Sequence, residues 1–280
     1  MKEAARTHKS GCLAPEAHWP QVRRGQAGAA GASIRFIIGG AQKSGTSALA
    51  AYLAMHPSID LPKRKEAHVF DSPDFPDADD ASAVDRIFST HFARECSHTM
   101  RGDATPITLM YPGAMERVAS YNPDMRWILI FRDPVWRAVS HYYMQRTRGV
   151  ERFPLLLAVM LEPFRLRRWL RGRHADQRAR RQSYVLRGRY ATQLDRLVKR
   201  FPSRNILLLR SQDLRTDPAE VLKRVCEFLG IGGMPADIEF KPAFEGHYRR
   251  PSKWSPGVLL LRWLLRNESA ELARRHGLQL

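Results

Sequence analysis

The segment from 34 to 53 constrains the fold of this chain more than any other. A short apolar run, 36–38, meets a glycine-rich loop from Gly39 to Gly45, and a helical pattern with Leu49 and Leu53 on one face follows. In a strand, glycine loop and helix of this kind, the amides of the loop and helix start point inward and the helix dipole adds positive potential. The segment therefore predicts a phosphate-binding site at the end of a strand.

The loop departs from the Walker A pattern G-x-x-x-x-G-K-[ST] at one position. Gly40 and Gly45 match the pattern, but Thr46 stands where the lysine is expected and Lys43 lies inside the loop. Thr46 and Ser47 can offer hydroxyls to a phosphate, whereas the lysine that would reach a terminal γ-phosphate is absent. The loop therefore suggests a nucleotide whose reacting group is not a γ-phosphate bound to Mg²⁺.

Composition restricts the class of protein and of partner. The chain has 280 residues, 44% of them hydrophobic, which permits one large domain. Residues 1–32 are rich in Gly, Ala, Pro and charge without periodicity, and we expect them to form a disordered basic tail. The net charge of +18 favours anionic partners: nucleic acid, anionic lipid, acidic polysaccharide or a multiply phosphorylated cofactor.

The cysteines and apolar runs bear on the compartment. Cys12, Cys96 and Cys226 are widely spaced and indicate neither a disulfide framework nor a metal site. Cys226 lies in a helical pattern and is expected to pack as a small apolar residue. The N-terminus shows no apolar signal region, and the longest apolar run, 257–265, is too short to span a bilayer. These features predict a cytoplasmic protein.

Buried strands alternate with helices along the rest of the chain. The unbroken apolar runs 126–131 and 205–209 are typical of strands buried on both faces. Together with the strand at 36–38 they predict an α/β, P-loop-type three-layer fold with a parallel central sheet flanked by helices. Ligands bind such sheets at the carboxyl ends of the strands. Helices are predicted over 45–56, 85–92, 134–143, 155–181, 190–201, 218–229 and from 255 onward.

A second anion-binding corner is predicted after the strand 126–131. Arg132 follows this strand, and Ser140 comes eight residues later in a helix opened by Pro134. Arg132 can present its guanidinium to a phosphate, and Ser140 can add a hydroxyl. The alternative is that Arg132 pairs with Asp133 or a helix end while Ser140 faces solvent. Two such corners on one sheet suit a ligand with phosphates at two ends.

These two segments resemble a known family. The stretches 39–47 and 132–140 are similar to the two cofactor motifs of sulfotransferases that use 3'-phosphoadenosine 5'-phosphosulfate (PAPS). The segment 65–71, Lys-Glu-Ala-His-Val-Phe-Asp, resembles the K-E-x-H-F-F-D segment of the heparan-sulfate N- and O-sulfotransferase branch, with Val69 in place of Phe. The stretch 103–106 resembles that branch's [KE]-[ST]-P element. The resemblance implies a sulfotransferase domain over residues 33–280.

The resemblance implies roles for the residues of the first corner. Lys43 would neutralise charge on the bridging and sulfuryl oxygens. The alternative is that Lys43 is only a surface lysine on a loop. The amides of Ser44, Gly45 and Thr46, with the hydroxyls of Thr46 and Ser47, would hold the 5'-phosphate. PAPS is then the cofactor and 3',5'-adenosine bisphosphate (PAP) its product, and no metal is required.

The base and the second corner are assigned in the same way. The resemblance implies that the Glu66 carboxylate is the catalytic base. The alternative is that Glu66 only pairs with neighbouring cations. In either case these cations should lower the pKa of Glu66. His68 is a second candidate, as base or to orient the acceptor, or it is a hydrogen-bonded structural histidine. Arg132 and Ser140 would hold the 3'-phosphate.

A late basic segment completes the predicted site. Arg249 or Arg250 would close over the 3'-phosphate and Tyr248 would stack on adenine, although a solvated turn is an alternative. The arginines of 165–181 would grip an anionic acceptor or form a solvated helical face. The last apolar helix is expected to dock on the core; peripheral membrane contact is the alternative.

The sequence as a whole predicts an enzyme that moves a sulfuryl group from PAPS to a hydroxyl or amine of a carbohydrate or other small-molecule acceptor. The first alternative is a P-loop kinase or other NTPase. The second is a basic protein that binds nucleic acid or anionic lipid, which would leave the two anion corners without a purpose. We expect no specific nucleic-acid partner.

Overall fold

A single parallel sheet forms the centre of the computed structural model, which describes residues 33–76, 80–93, 99–111, 113–170, 177–235, 238, 240 and 248–280. Within these residues it has strands β1 (Ile34–Gly40), β2 (Ile59–Asp60), β3 (Met100–Asp103), β4 (Arg126–Phe131) and β5 (Ile206–Arg210). Their order is β2-β3-β1-β4-β5, and every pairing is parallel. The predicted tail, 1–32, lies outside the described residues.

Helices follow most strands and cover both faces of the sheet. The predicted α/β fold is confirmed, although β3 and the helices Ala114–Tyr121 and Ser211–Thr216 were not predicted. The predicted helix from 255 onward forms two helices, and so does the described part of the predicted helix 155–181. The helices are α1 (Thr46–Leu53), α2 (Ala81–Ser89), α3 (Ala114–Tyr121), α4 (Pro134–Thr147), α5 (Leu155–Leu170), α6 (Gln177–Gln182), α7 (Tyr190–Val198), α8 (Ser211–Thr216), α9 (Pro218–Leu229), α10 (Pro256–Leu264) and α11 (Glu268–His276).

Two helices begin with the same local chemistry. Asp133 Oδ1 accepts from the backbone N of Trp136 at 2.8 Å, and Asp217 Oδ1 accepts from the backbone N of Glu220 at 3.0 Å. In both cases proline follows at the first helical position, where a missing N–H costs nothing. Gly230 ends α9 with φ 65°, a left-handed conformation that glycine adopts without strain. The helix predicted over 218–229 is confirmed.

Strand β4 shows why its sequence is an unbroken apolar run. Trp127 and Leu129 pack in one cluster with residues of α3 and α7, while Ile128 and Ile130 pack in another with residues of α1 and α9. Because successive side chains point to opposite faces of a sheet, both faces of β4 need apolar residues. The predicted three-layer arrangement follows, and Cys226 is buried as expected.

The C-terminal helix α10 docks on the core as expected. Val258 and Leu261 are fully buried in a third cluster shared with α4 and α5. Gly257 allows close approach, since a Cβ there would lie 2.7 Å from Cγ of Leu155. Among the described helices, none is long and apolar enough to cross a membrane.

Candidate active site

The glycine loop leaves β1 at its carboxyl end and stays against β4. The backbone N of Ala41 donates to the carbonyl of Ile130 at 2.8 Å. Lys43 has φ 69° and Gly45 has φ 110°, so the loop turns back sharply before α1 begins. No side chain of the described residues caps α1, and the first amides of a helix have no partner within it. The amides of Thr46 and Ser47 therefore suit an anion.

One predicted contact of this loop is not supported. The backbone N of Ser44 donates to the carbonyl of Ala41 at 3.1 Å, so this amide is engaged inside the loop. Ser44 is buried, and its predicted role in holding the 5'-phosphate through its amide conflicts with this hydrogen bond. The tight turn after Ala41 explains the difference, because it directs the Ser44 N–H back into the loop.

Lys43 lies among other cations. Burial is the first cause that lowers the pKa of its ammonium group, and the charges of Arg148, Arg132 and Lys65 lower it further. Positive charges held together in this way gain most from an anion placed between them. The surroundings of Lys43 therefore fit the phosphosulfate end of PAPS.

Arg132 forms the second corner at the end of β4. Burial is the first cause that lowers the pKa of its guanidinium, and nearby Arg215 and Arg250 lower it further while Tyr248 raises it. Asp133 caps α4 by accepting from the backbone N of Trp136, and among the described residues no carboxylate forms an ion pair with Arg132. The alternative pairing of Arg132 with Asp133 is therefore wrong.

The other predicted members of this corner are placed differently from one another. Ser140 is buried on α4, so the alternative that it faces solvent is also wrong. The Tyr248 ring stacks on Tyr143 with centroids 4.5 Å apart and planes at 11°, which occupies one of its faces. Arg249 and Arg250 are both exposed, and of the two it is Arg250 whose charge acts on Arg132. Stacking of Tyr248 on adenine stays a prediction for its other face.

Glu66 is connected to the first corner through Lys65. The Lys65 Nζ donates to Glu66 Oε1 at 3.1 Å and to Thr46 Oγ1 at 3.3 Å. Burial by itself would raise the pKa of Glu66, but the hydrogen bond from His68 and the charge and hydrogen bond of Lys65 lower it to about 2. The expected ionised Glu66 is thus supported, and this carboxylate stands beside the loop predicted to hold the sulfuryl donor.

His68 lies between two carboxylates. Its Nδ1 is 3.0 Å from Asp71 Oδ2, and its Nε2 is 3.3 Å from Glu66 Oε2. The hydrogen bonds to Asp71 and then to Glu66 outweigh burial and raise the pKa of His68 to about 9. An imidazolium has no free lone pair, so these contacts argue against His68 as the base at neutral pH and fit the alternative of a hydrogen-bonded histidine, which here contacts Glu66. A role of His68 in orienting the acceptor stays a prediction.

The segment that carries Glu66 and His68 is held by the stretch 103–106. Asp103 Oδ1 accepts from the backbone N of Ala67 at 3.2 Å and from Thr105 Oγ1 at 2.9 Å. Thr105 Oγ1 in turn accepts from the backbone N of His68 at 3.3 Å. Burial is the main cause that raises the pKa of Asp103 to about 6. The end of β3 thereby fixes the backbone next to the candidate base.

Two arginines of the stretch 165–181 are paired with buried acids. Arg180 of α6 binds the Asp71 carboxylate and donates to its backbone carbonyl at 2.7 Å, and its guanidinium lies 5.4 Å from the ring centre of Tyr111. Arg165 lies 2.5 Å from a carboxylate oxygen of Glu151. The stretch is therefore more than a solvated face, because Arg180 reaches the acid behind His68.

Several residues of this site were missed by the sequence reasoning. Lys65 and Asp71 lie inside the quoted segment 65–71, so its charged positions were the available signal. Arg215 is brought in by α8, and nothing in the sequence next to it indicates a site. Arg180 of α6 lies in the arginine-rich stretch 165–181, but its pairing with Asp71 was not predicted. Within the part of the chain that the structure describes, no group of three or more His, Cys, Asp or Glu residues could hold a metal ion.

Fold and site together define an α/β protein with two cationic sites at the carboxyl ends of its parallel strands and a carboxylate beside one of them. The chain belongs to the sulfotransferase family: the family model described as a sulfotransferase domain matches residues 33–239. Sulfotransferases use PAPS and release PAP. The family and the fold predicted from the sequence are confirmed.

Named relatives support the same assignment. The chain is 29% identical over 211 residues to the human bifunctional heparan sulfate N-deacetylase/N-sulfotransferase 3, covering 70% of this chain and 22% of that protein. It is 28% identical over 209 residues to the mouse heparan sulfate glucosamine 3-O-sulfotransferase 6, covering 73% of this chain and 54% of that protein. The chain thus spans about half of the second relative's length and less of the first.

A solved structure matches the whole architecture. The sulfotransferase from Alicyclobacillus acidocaldarius aligns with a TM-score of 0.70 at 26% identity, covering 88% of this chain and 97% of that one. The likeness extends beyond the two anion corners to the layers around the sheet.

Proposed function

We propose that this protein transfers a sulfuryl group from PAPS to a hydroxyl or amine of a carbohydrate or similar small acceptor. One observation carries the proposal: Lys65 donates both to Thr46 of the anion-binding loop and to the Glu66 carboxylate. A group held by the loop and an acceptor hydroxyl held by Glu66 would therefore meet at Lys65.

The residues of the two corners fit the two ends of the donor. When bound, PAPS supplies an activated sulfuryl group. Lys43 and the amides at the start of α1 suit its phosphosulfate end, and Arg132 with Arg250 and Arg215 suits the 3'-phosphate. Sulfuryl transfer resembles phosphoryl transfer, in which the protein contributes mainly positioning and electrostatic stabilisation. Cations at both ends supply that stabilisation without a metal ion.

Glu66 acts on the acceptor in this proposal. With a pKa of about 2 it is ionised but only weakly basic, which is sufficient if the proton leaves the acceptor late in the reaction. The His68 imidazolium holds one oxygen of Glu66 and Lys65 holds the other. The carboxylate is thereby fixed in orientation, and Asp71 with Arg180 fixes His68 from behind.

The acceptor class rests on the relatives and on charge. Both relatives named above are heparan sulfate sulfotransferases, which supports a carbohydrate acceptor. Lys65 and the His68 imidazolium place cations around Glu66, which favours an acceptor that carries negative groups near the reacting hydroxyl or amine. Within the segment 65–71, which would face the acceptor, this chain has Val69 where the heparan-sulfate sulfotransferases usually have Phe.

A thermal-shift experiment separates this proposal from its alternatives. We expect PAP to raise the melting temperature without metal, by the amount that ligand linkage allows, and to do so more than Mg-ATP or duplex DNA. A shift with Mg-ATP and none with saturating PAP would overturn the proposal in favour of a kinase or NTPase. Transfer from labelled PAPS to a panel of sugars and amines then identifies the acceptor.

A further inference from the structure

Large apolar side chains are exposed to solvent along one side of α5 and just before it. Phe153 is 46% exposed, Leu157 44%, Met160 53% and Phe164 75%. Their spacing of four, three and four residues places them on one face of a helix and its leading turn. We call these four residues the α5 stripe.

Core packing does not account for the α5 stripe, because the helix buries a different face. Ala158, Val159 and Leu166 are almost fully buried and join the two clusters beneath α5. A helix of a water-soluble domain needs one apolar face for the core, and a second one exposed to water costs free energy. The α5 stripe is such a second face.

The outer side of α5 carries no exposed acid among its described side chains. Glu162, the single acidic residue of this helix, is buried and accepts from the backbone N atoms of Val185 and Leu186 at 2.8 and 2.9 Å. Arg152 and Arg167 are exposed at the two ends of the α5 stripe. The outer side is therefore apolar along its middle and cationic at both ends.

This combination matches an anionic lipid surface. The glycerol and upper acyl region takes up apolar side chains, while lipid phosphates attract arginines at the same depth as the helix. A second copy of the chain is a poorer occupant, because pairing two stripes in either direction sets Arg152 and Arg167 of one copy against arginines of the other. The formal net charge of +18 adds a general attraction to anionic membranes.

We propose that the α5 stripe docks this protein on an anionic membrane surface, with α5 lying in the plane of the interface. From Leu157 to Phe164 the α5 stripe spans about 10 Å along the helix, and Phe153 extends it before the helix begins, so that one side of α5 can enter the headgroup region. This inference does not rest on the proposed sulfuryl transfer.

Vesicle flotation of the full chain tests the proposal. We expect binding to vesicles with about one-third phosphatidylglycerol, little binding to pure phosphatidylcholine, and weakening between about 0.05 and 0.5 M salt. The double change Met160→Ser with Phe164→Ser should lower the partition coefficient roughly tenfold. Met55→Ser is the matched control, since Met55 lies outside α5 and is 49% exposed; this variant should bind like the parent.

Each other outcome is informative. No binding by the parent, or equal binding by the parent and the double variant, overturns the proposal, and equal binding with strong salt dependence assigns attraction to net charge. If the double change alters the molecular mass of the protein in solution but not its lipid binding, the α5 stripe is an interface with a second copy of the chain and the proposal is wrong. Unchanged melting temperatures of all variants show that they are folded.

Discussion

The Nζ of Lys65 lies 3.3 Å from Oγ1 of Thr46, and this contact joins the segment of the candidate base to the first residue of α1. The same Nζ donates to Glu66 Oε1 at 3.1 Å. Lys65 therefore stands where charge would develop as a sulfuryl group leaves the loop, and its ammonium can stabilise that charge.

Removing the Lys65 ammonium should slow transfer more than it weakens product binding. We expect Lys65→Met to lower kcat about 10- to 100-fold, because a preorganised charge at the transferred group is lost. PAP carries no sulfuryl group, so its Kd, measured by calorimetry, should change little. Lys63→Met, at an exposed lysine two residues earlier, is the control. A loss confined to PAP affinity would contradict the assigned role.

The two cationic corners should behave differently on substitution. Lys43→Ala should lower kcat about a thousandfold, because Lys43 is assigned to charge that forms during transfer. Arg132→Ala should raise the Kd of PAP about 10- to 100-fold, because a charged hydrogen-bond partner of the 3'-phosphate is removed. Steady-state kinetics and calorimetry measure the two effects. Small and equal losses in both variants would count against these roles.

Glu66→Gln separates binding from chemistry. The amide keeps the shape of the side chain but cannot accept the acceptor's proton. We expect unchanged PAP affinity and a loss of about a hundredfold or more in kcat. Retained transfer would assign the base to another group, and His68, protonated below about pH 9, would not be that group near neutral pH.

The pH dependence should report on His68. Its pKa is raised to about 9, first by the hydrogen bond to Asp71 and then by that to Glu66. If the imidazolium orients Glu66, activity should fall as the pH rises through about 9, and no acid limb from Glu66, with a pKa of about 2, is expected near neutral pH. Asp71→Asn should move the alkaline limb to lower pH.

The same shift affects stability with a defined sign. Because the folded-state pKa of His68 is above the ordinary value of 6.5, its contribution is fully present below that pH and is lost as the pH rises toward 9. NMR titration of the His68 ring measures its pKa in the parent and in Asp71→Asn. An unchanged midpoint in the variant would show that Asp71 does not hold the proton on His68.

Gly45 should be needed for the shape of the phosphate loop. Its φ of 110° lies where side chains are strained, so Gly45→Ala should distort the loop at the start of α1. We expect a smaller PAP-induced rise in melting temperature for this variant. Gly149→Ala is the control, because Gly149 also has a positive φ, 69°, and a Cβ there would meet nothing within 4 Å; this variant should retain the full PAP response. Equal responses would show that the loop tolerates the change.

The strands with strong local patterns were predictable, and those without them were not. In β4 the unbroken apolar run is by itself sufficient to predict a strand buried on both faces. In β3 the sequence Met-Arg-Gly-Asp has no such pattern, because Gly102 has no side chain and lies against the Phe36 ring. Its place in the sheet depends on pairing with β1 and β2, which are distant in sequence.

The same distinction applies to the site. Lys43 and Arg132 follow strands directly, so a parallel sheet brings them to one edge. Asp71 and Arg180 are 109 residues apart and meet because α6 packs beside the segment 65–71. The protonation of His68 follows from that packing, since it requires two carboxylates that no local pattern brings together.

The sequence by itself determined the layered α/β fold, the two anion corners and the family, because strand patterns, glycine positions and motif spacing act over short stretches. Only the tertiary structure decided that Lys65 links Thr46 to Glu66, that Ser44 donates inside the loop, and that Arg180 supports Asp71. Hydrogen bonds and pKa values depend on distances of a few ångströms and on burial. Those quantities arise only when distant segments pack together.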